Sequence, residues 1–298
     1  PQWSSLRAPG PRSARLAVDT EHGHILFVDG EEGLYRSTDA GESWSLVLPV
    51  PPGLPPPYSQ WTSAVSPADP AVVYATASYL SSARVWRSPD GGTSWEQLRQ
   101  LSATLCGWSF PVVEPDPVVR ERVYLAYGCL AGRTLSIPLR VSQDLWATDG
   151  ETIFSPPPSR STDPLHYLYP RRVAFEPQGR HGLLGADRDA RLGGSVLART
   201  DDGGTSWRPL LAFLPPPATP PGPHARVADF VAELPALNRL FVGLAGTDQG
   251  VLRSEDGGTI WRRLGSAAIG PVNTLAVDWS AGLLYAGTTR GLWLLPLP

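Results

Sequence analysis

Four times along its length this chain spells the same nine-residue phrase. Arg36-Ser37-Thr38-Asp39-Ala40-Gly41-Glu42-Ser43-Trp44 comes first. Arg87-Ser88-Pro89-Asp90-Gly91-Gly92-Thr93-Ser94-Trp95, Arg199-Thr200-Asp201-Asp202-Gly203-Gly204-Thr205-Ser206-Trp207 and Arg253-Ser254-Glu255-Asp256-Gly257-Gly258-Thr259-Ile260-Trp261 follow. A phrase recurring at a fixed period signals a repeated supersecondary unit, which constrains the fold more than composition can. Asp39 and Asp90 stand 51 residues apart, Asp202 and Asp256 stand 54 apart, and the interval from Asp90 to Asp202 is 112. That interval holds two units of 56, so one unit has lost its phrase. Its place falls near residue 146, where Ser142-Gln143-Asp144 reads as a decayed copy.

Each unit repeats an internal order of short apolar runs. First strands are read at Leu16–Val18, Ser63–Val65, Phe110–Val113, Val173–Phe175, Phe230–Val231 and Leu275–Val277. A second strand follows each after a polar turn, a third leads into the phrase, and a fourth starts at its Trp. No segment carries a useful helical period. Short strands bounded by Gly, Pro and Asp at about 50-residue spacing predict an all-β propeller of four-stranded antiparallel blades. Six first strands predict six blades, with bounds near 14–48, 61–100, 106–155, 171–213, 226–265 and 272–298 joined by 1–8. Trp3-Ser4-Ser5-Leu6 resembles the fourth strands that begin at Trp95, Trp207 and Trp261, so the N-terminal strand is expected to complete the last blade and remove its free edge. The proline runs Pro49–Pro57, Pro156–Pro158 and Pro215–Pro223 read as connections between blades.

The phrase resembles the Asp-box (BNR) repeat, and the resemblance covers the whole chain through its period. It implies that Ser37, Asp39, Gly41 and Trp44, with Ser88, Asp90, Gly92 and Trp95, Thr200, Asp202, Gly204 and Trp207, and Ser254, Asp256, Gly258 and Trp261, form structural turns on the rim away from the central funnel. An Asp can accept hydrogen bonds from its own turn, and the Gly can take positive φ. The box lacks the further spaced carboxylates of a calcium loop.

Composition bounds the partners. The net charge of −3, with 25 Arg and no Lys, argues against nucleic acid. No apolar run is long enough to span a bilayer. The first residue is Pro, which reads as a trimmed N-terminus. Cys106 and Cys129 lie symmetrically about a hairpin centre between Pro117 and Val118. A disulfide is therefore expected, and with it an extracytoplasmic location: secreted, periplasmic or on the cell surface. No metal-ligand spacing is found, His22 and His24 reading as a surface turn, and no cofactor is expected.

Asp-box propellers include sialidases and other glycoside hydrolases, so a catalytic set is sought. Arg12 or Arg15, Arg171 or Arg172, and Arg226 stand where the resemblance implies a carboxylate-binding triad. The position implied for the Tyr nucleophile holds Val272, which speaks against a sialidase. Asp29, Glu31, Glu32, Asp187, Asp189 and Asp248 fall in second-to-third-strand loops on the funnel face. The aromatics Tyr58, Trp61, Tyr79, Trp108, His166, Tyr167 and Tyr169, mixed with Arg171, Arg172, Arg188, Arg191 and Arg226, suit a glycan or an acidic peptide. Trp61, Trp108, Tyr169, Arg171, Arg172, Arg226 and Asp187 are the candidate ligand-binding residues. The expectation is a non-catalytic binding or scaffold propeller with a glycan or protein partner. The alternatives are a glycoside hydrolase of the same superfamily and a structural subunit of a surface assembly.

Overall fold

Strands of three to eight residues assemble into six four-stranded antiparallel sheets. The computed structural model describes residues 3–6, 16–19, 25–30, 32–52, 60–79, 82–102, 112–116, 118–126, 139–143, 151–154, 168–188, 194–213, 225–264 and 269–297. The chain opens with β1 (Ser4–Leu6). The first blade then runs β2 (Leu16–Val18), β3 (Leu26–Gly30), β4 (Gly33–Ser37) and β5 (Ser45–Pro49). The second holds β6 (Gln60–Val65), β7 (Val73–Tyr79), β8 (Ser82–Ser88) and β9 (Glu96–Ser102), and the third β10 (Val112–Pro115), β11 (Val123–Ala126), β12 (Leu139–Ser142) and β13 (Glu151–Phe154). The fourth holds β14 (Leu168–Phe175), β15 (Gly182–Arg188), β16 (Ser195–Thr200) and β17 (Arg208–Phe213), and the fifth β18 (Arg226–Ala232), β19 (Leu240–Ala245), β20 (Gly250–Ser254) and β21 (Arg262–Leu264). The sixth takes β22 (Val272–Asp278), β23 (Leu283–Thr288) and β24 (Gly291–Pro296). Its fourth strand is β1, with Ser4 opposite Leu294 and Leu6 opposite Leu292. The predicted six-bladed propeller, closed by its N-terminal strand, is the architecture observed.

The first strands β2, β6, β10, β14, β18 and β22 contact one another in sequence around the axis, and β22 returns to β2. Between blades the packing is apolar. The cluster around Phe27, Trp61 and Val73 joins blades one and two, and the cluster around Tyr124, Phe175 and Val196 joins blades three and four. Tyr124 and Phe175 stack at 4.8 Å. The box Trp residues are half-buried against such seams: Trp207 meets Phe175 edge-on at 6.1 Å.

The boxes are closed hydrogen-bond systems. In each, the last residue of the third strand gives its hydroxyl to the Asp and accepts from the second Gly. Ser88 Oγ donates to Asp90 Oδ1 at 2.8 Å, and the Gly92 N–H donates to Ser88 Oγ at 2.7 Å. The Asp carboxylate then accepts from the turn's far side, as when the Ser94 N–H and hydroxyl reach Asp90 at 2.8 and 2.7 Å. Gly41, Gly92, Gly204 and Gly258 hold φ between 88° and 93°, a left-handed conformation that suits a residue without Cβ. The residue before this glycine bonds the first hairpin turn: the N–H groups of Gly91, Gly203 and Gly257 donate to carbonyls of Ala71, Arg180 and Asn238. Box and first hairpin therefore share one face, and the starts of the first strands share the other. Ser142 ends β12 as the box hydroxyl residues end theirs and is 1% exposed, so the third blade keeps the buried serine; Asp144 lies outside the described residues.

The expected cysteine symmetry is corrected in part. β10 pairs with β11 so that Val112 faces Ala126 and Pro115 faces Val123, which centres this hairpin on Val119 rather than between Pro117 and Val118. The midpoint of Cys106 and Cys129 is therefore not the hairpin centre; both cysteines lie outside the described residues, as do the proline runs Pro156–Pro158 and Pro215–Pro223.

Three inner strands carry one extra residue each. Arg171 in β14, Ala228 in β18 and Asn273 in β22 are bulged, and the residues that follow face Gly185, Gly243 and Gly287 on the second strands. Glycine opposite a bulge marks a close backbone approach. A Cβ on Gly243 would stand 2.4 Å from Val272 Cγ1, and one on Gly185 2.9 Å from the Phe230 ring.

Two outcomes follow from this frame. Gly243→Ala is expected to destabilise by about 1–3 kcal/mol through overpacking, measured by urea denaturation; an unchanged midpoint would refute the seam assignment. The second outcome concerns acid. Hydrogen bonds from the Ser43 side chain and backbone hold the Asp39 carboxyl at about 2, and those from the Ser94 backbone and side chain hold Asp90 at about 2. Asp202 and Asp256 are lowered for the same reason. An unfolded Asp titrates near about 3.9. Depressed folded values mean that this stabilisation is complete above that pH and is lost as pH falls towards about 2. Acid unfolding followed by circular dichroism should fall in that window, and Asp90→Asn should flatten the pH dependence.

Candidate functional site

The bulged inner strands organise what polar chemistry reaches the axis. Arg172, just after the β14 bulge, donates from Nη1 to Asp229 Oδ2 at 3.0 Å and to the Leu275 carbonyl at 3.0 Å, while its Nε lies 3.2 Å from Glu114 Oε1. Asp229 follows the β18 bulge and its side chain is fully buried. Its Oδ2 also accepts from Thr274 Oγ1 at 3.0 Å and the Leu275 N–H at 2.8 Å, and its Oδ1 accepts from the Phe230 N–H. Thr274 Oγ1 in turn accepts from the Leu16 N–H at 3.1 Å. The result is a polar girdle from blade three through four, five and six to blade one. Burial works against the Arg172 charge, but Asp229 and Glu114 more than offset it, and its pKa rises.

A second cluster lies on the face opposite the boxes. The bulged Arg171 donates from Nε to Asp187 Oδ2 at 2.6 Å, and Arg226 Nη1, from the first residue of β18, stands 3.8 Å from the same oxygen. Asp187 Oδ1 is buried and has no hydrogen-bond partner among the described residues. Partial burial lowers the Arg226 pKa; Asp187 opposes the shift and Arg171 adds to it.

The sequence-derived candidates thus divide. Arg171, Arg226 and Asp187 come together. Tyr169 faces Asp187 in the strand register. Arg172 is committed to the girdle rather than to the rim. Trp61 is 2% exposed and stacks on Trp86 at 5.6 Å, so it packs the second blade and offers no face to a ligand. Trp108 lies outside the described residues, as do Tyr58, His166, Tyr167, Arg191, Glu31, Asp189, His22 and His24. Val272 is fully buried over Gly243. Asp248 is paired with Arg263, and Glu32 accepts from the Tyr35 hydroxyl at 2.9 Å. Among the described residues no cluster of His, Cys, Asp and Glu is arranged to hold a metal, and no helix is long and apolar enough to cross a membrane. Sequence reading missed Glu114, Asp229 and Thr274. The signal present was a polar or charged residue inside an otherwise apolar inner strand, with a glycine opposite two of the three.

Fold and girdle define a closed six-bladed propeller with a charged rim, an architecture shared by enzymes and non-enzymes. Comparison with known proteins narrows this. No family model matches the chain. A xyloglucanase of Paenibacillus sp is 27% identical over 225 residues, which is 67% of this chain and 20% of that protein. The chain thus spans only a fifth of the relative's length. The α-L-arabinofuranosidase GH93 of Fusarium graminearum, solved with arabinobiose, superposes with a TM-score of 0.66 at 14% identity, covering 99% of this chain and 97% of that one. The GH74 enzyme of Niastella koreensis superposes with a TM-score of 0.51 at 19% identity, covering 95% of this chain and 36% of that one. These two likenesses establish the fold alone. The expected non-catalytic binding or scaffold protein is corrected by the xyloglucanase, a catalytic relative over two thirds of the chain.

The girdle gives a direct stability test. Removing one partner of a buried pair costs about 3–5 kcal/mol because the other charge is left behind. Arg172→Met should approach that loss in chemical denaturation. Arg172→Lys should not restore it, since an ammonium cannot reproduce the planar fork. A loss below about 1 kcal/mol would show the girdle to be incidental.

Proposed function

We propose that the chain is the propeller of a glycoside hydrolase that acts on a polysaccharide of the xyloglucan kind outside the cytoplasm. The observation that carries this reading is the 27% identity to a xyloglucanase over 225 residues. The rim cluster gives the reading its residues. A carboxylate clamped by two guanidiniums is a fixed acceptor for sugar hydroxyls, and the guanidiniums are donors to ring and glycosidic oxygens. Asp187, Arg171 and Arg226 hold the glycan across the funnel mouth, with the part-exposed guanidiniums of Arg171 and Arg226 meeting it and Asp187 fixing their aim. Hydrolysis itself calls for two carboxyl groups flanking the bond, about 5–5.5 Å apart for retention and about 6.5–9.5 Å apart for inversion. Asp29, Glu32, Asp187 and Asp248, the described carboxylates at this end of the second strands, are our candidates for that pair.

Incubation with xyloglucan, followed by measurement of new reducing ends, is expected to show release of oligosaccharides. Asp187→Asn should weaken glycan binding or turnover about tenfold or more, the worth of a charge-assisted hydrogen bond, with little change in Tm. Neither turnover nor binding across a panel of plant polysaccharides would overturn the proposal.

A further inference from the structure

A cavity of about 530 Å³ runs along the propeller axis and is separate from the Asp187 cluster. Pro67, Leu234 and Ser280, from first-hairpin turns, line it, so it opens on the box face. Six equivalent places on the inner strands, each two residues before the first-hairpin turn, form its wall: Ala17, Ala64, Glu114, Ala174, Val231 and Ala276. Four are alanine, which is what leaves the room. Glu114 and Arg172, 3.2 Å apart, supply the charge at the inner end. Trp279 stands among the turn residues of the mouth. Its indole is held by Arg239 at 5.7 Å and Phe241 at 5.9 Å, and the turn that carries it is fixed by Asp278 Oδ1, which accepts from the Ser280 and Ala281 N–H groups at 2.9 Å.

The chemistry of this lining selects its ligand. A sugar carries hydroxyls all round, and against alanine and valine most would be desolvated without partners. A wholly apolar molecule would do the same to the Glu114–Arg172 pair. A flat apolar ring with a hydroxyl at one end meets both demands, its hydroxyl on the ion pair and its ring near the indole. The volume lies within the usual range for small-molecule pockets. We infer that the axial cavity is a binding site for a small phenolic molecule of one or two rings, entered from the box face. It is distinct from the glycan rim and independent of any hydrolytic activity.

Calorimetric titration of the intact chain with 4-ethylphenol, ethylbenzene and xylose tests this. 4-Ethylphenol is expected to bind saturably at one site, with ethylbenzene about tenfold weaker for want of the hydroxyl and xylose giving no signal. Ala64→Leu and Ala276→Leu fill the cavity from two different blades, and each should abolish binding while circular dichroism stays native. Trp279→Ala leaves the wall intact and should weaken binding about tenfold, which keeps the test alive if a filled variant does not fold. No saturable binding of 4-ethylphenol, xylose binding as tightly, or undiminished binding by a folded Ala276→Leu variant would each overturn the assignment.

Discussion

The hydrogen bonds of Arg172 are the constraint on which the ring depends. Apolar contact between blades is strong but non-directional, and six similar wedges around an axis could slide along one another without losing much of it. Arg172 removes that freedom, because one guanidinium touches blade three through Glu114, blade five through Asp229 and blade six through the Leu275 carbonyl. Asp229 and Thr274 carry the link on to the Leu16 N–H in the first blade. An apolar replacement of such a network can match its net stability; what a chain of hydrogen bonds fixes is the height on the axis of the five blades it joins. The bulges make it feasible. One extra residue in β14, β18 and β22 brings the side chain that follows onto a neighbouring blade, and Gly185 and Gly243 open the space.

The frame was legible in the sequence because its rules are local. A box needs Asp, Gly and a hydroxyl at fixed offsets within one turn, so its copies can be counted from the letters alone, and their spacing gives the blades. The girdle was not legible, because its partners are far apart in the chain: Arg172 and Leu275 are 103 positions apart. Only the anomaly of a charge in an apolar strand betrayed it. Trp61 shows the converse error. An aromatic at a strand start reads as a ligand platform, yet an inner strand flanked by two blades buries it against Trp86. The cysteine symmetry failed through a small difference in hairpin centre, since residues facing each other are set by the turn and not by the midpoint of two chosen residues.

The two faces of the ring differ in how their polar groups are used. On the box face, turn donors and acceptors largely satisfy one another, as in Ser88, Asp90 and Ser94. On the other face Asp187 keeps a buried oxygen without a partner among the described residues, between two arginines. Saturation explains why the repeated phrase, though the most recognisable part of the sequence, points away from the rim chemistry. The axis is a partial exception. Its wall is set by the inner strands rather than the turns, so the saturation of the boxes does not extend to the cavity that opens among them.

Fold and sequence similarity carry different weight here. A TM-score of 0.66 to an arabinofuranosidase, at 14% identity, follows from stacking six four-stranded blades about an axis, and any protein solving that packing problem would share it. The 27% identity to a xyloglucanase over 67% of the chain is a likeness in sequence and not in fold alone. Arg171 is itself the bulged residue of β14, and the same bulge that puts Arg172 on the axis puts Arg171 on Asp187. The device that locks the ring therefore also builds the polar cluster at its mouth, and a change at the bulge would disturb both.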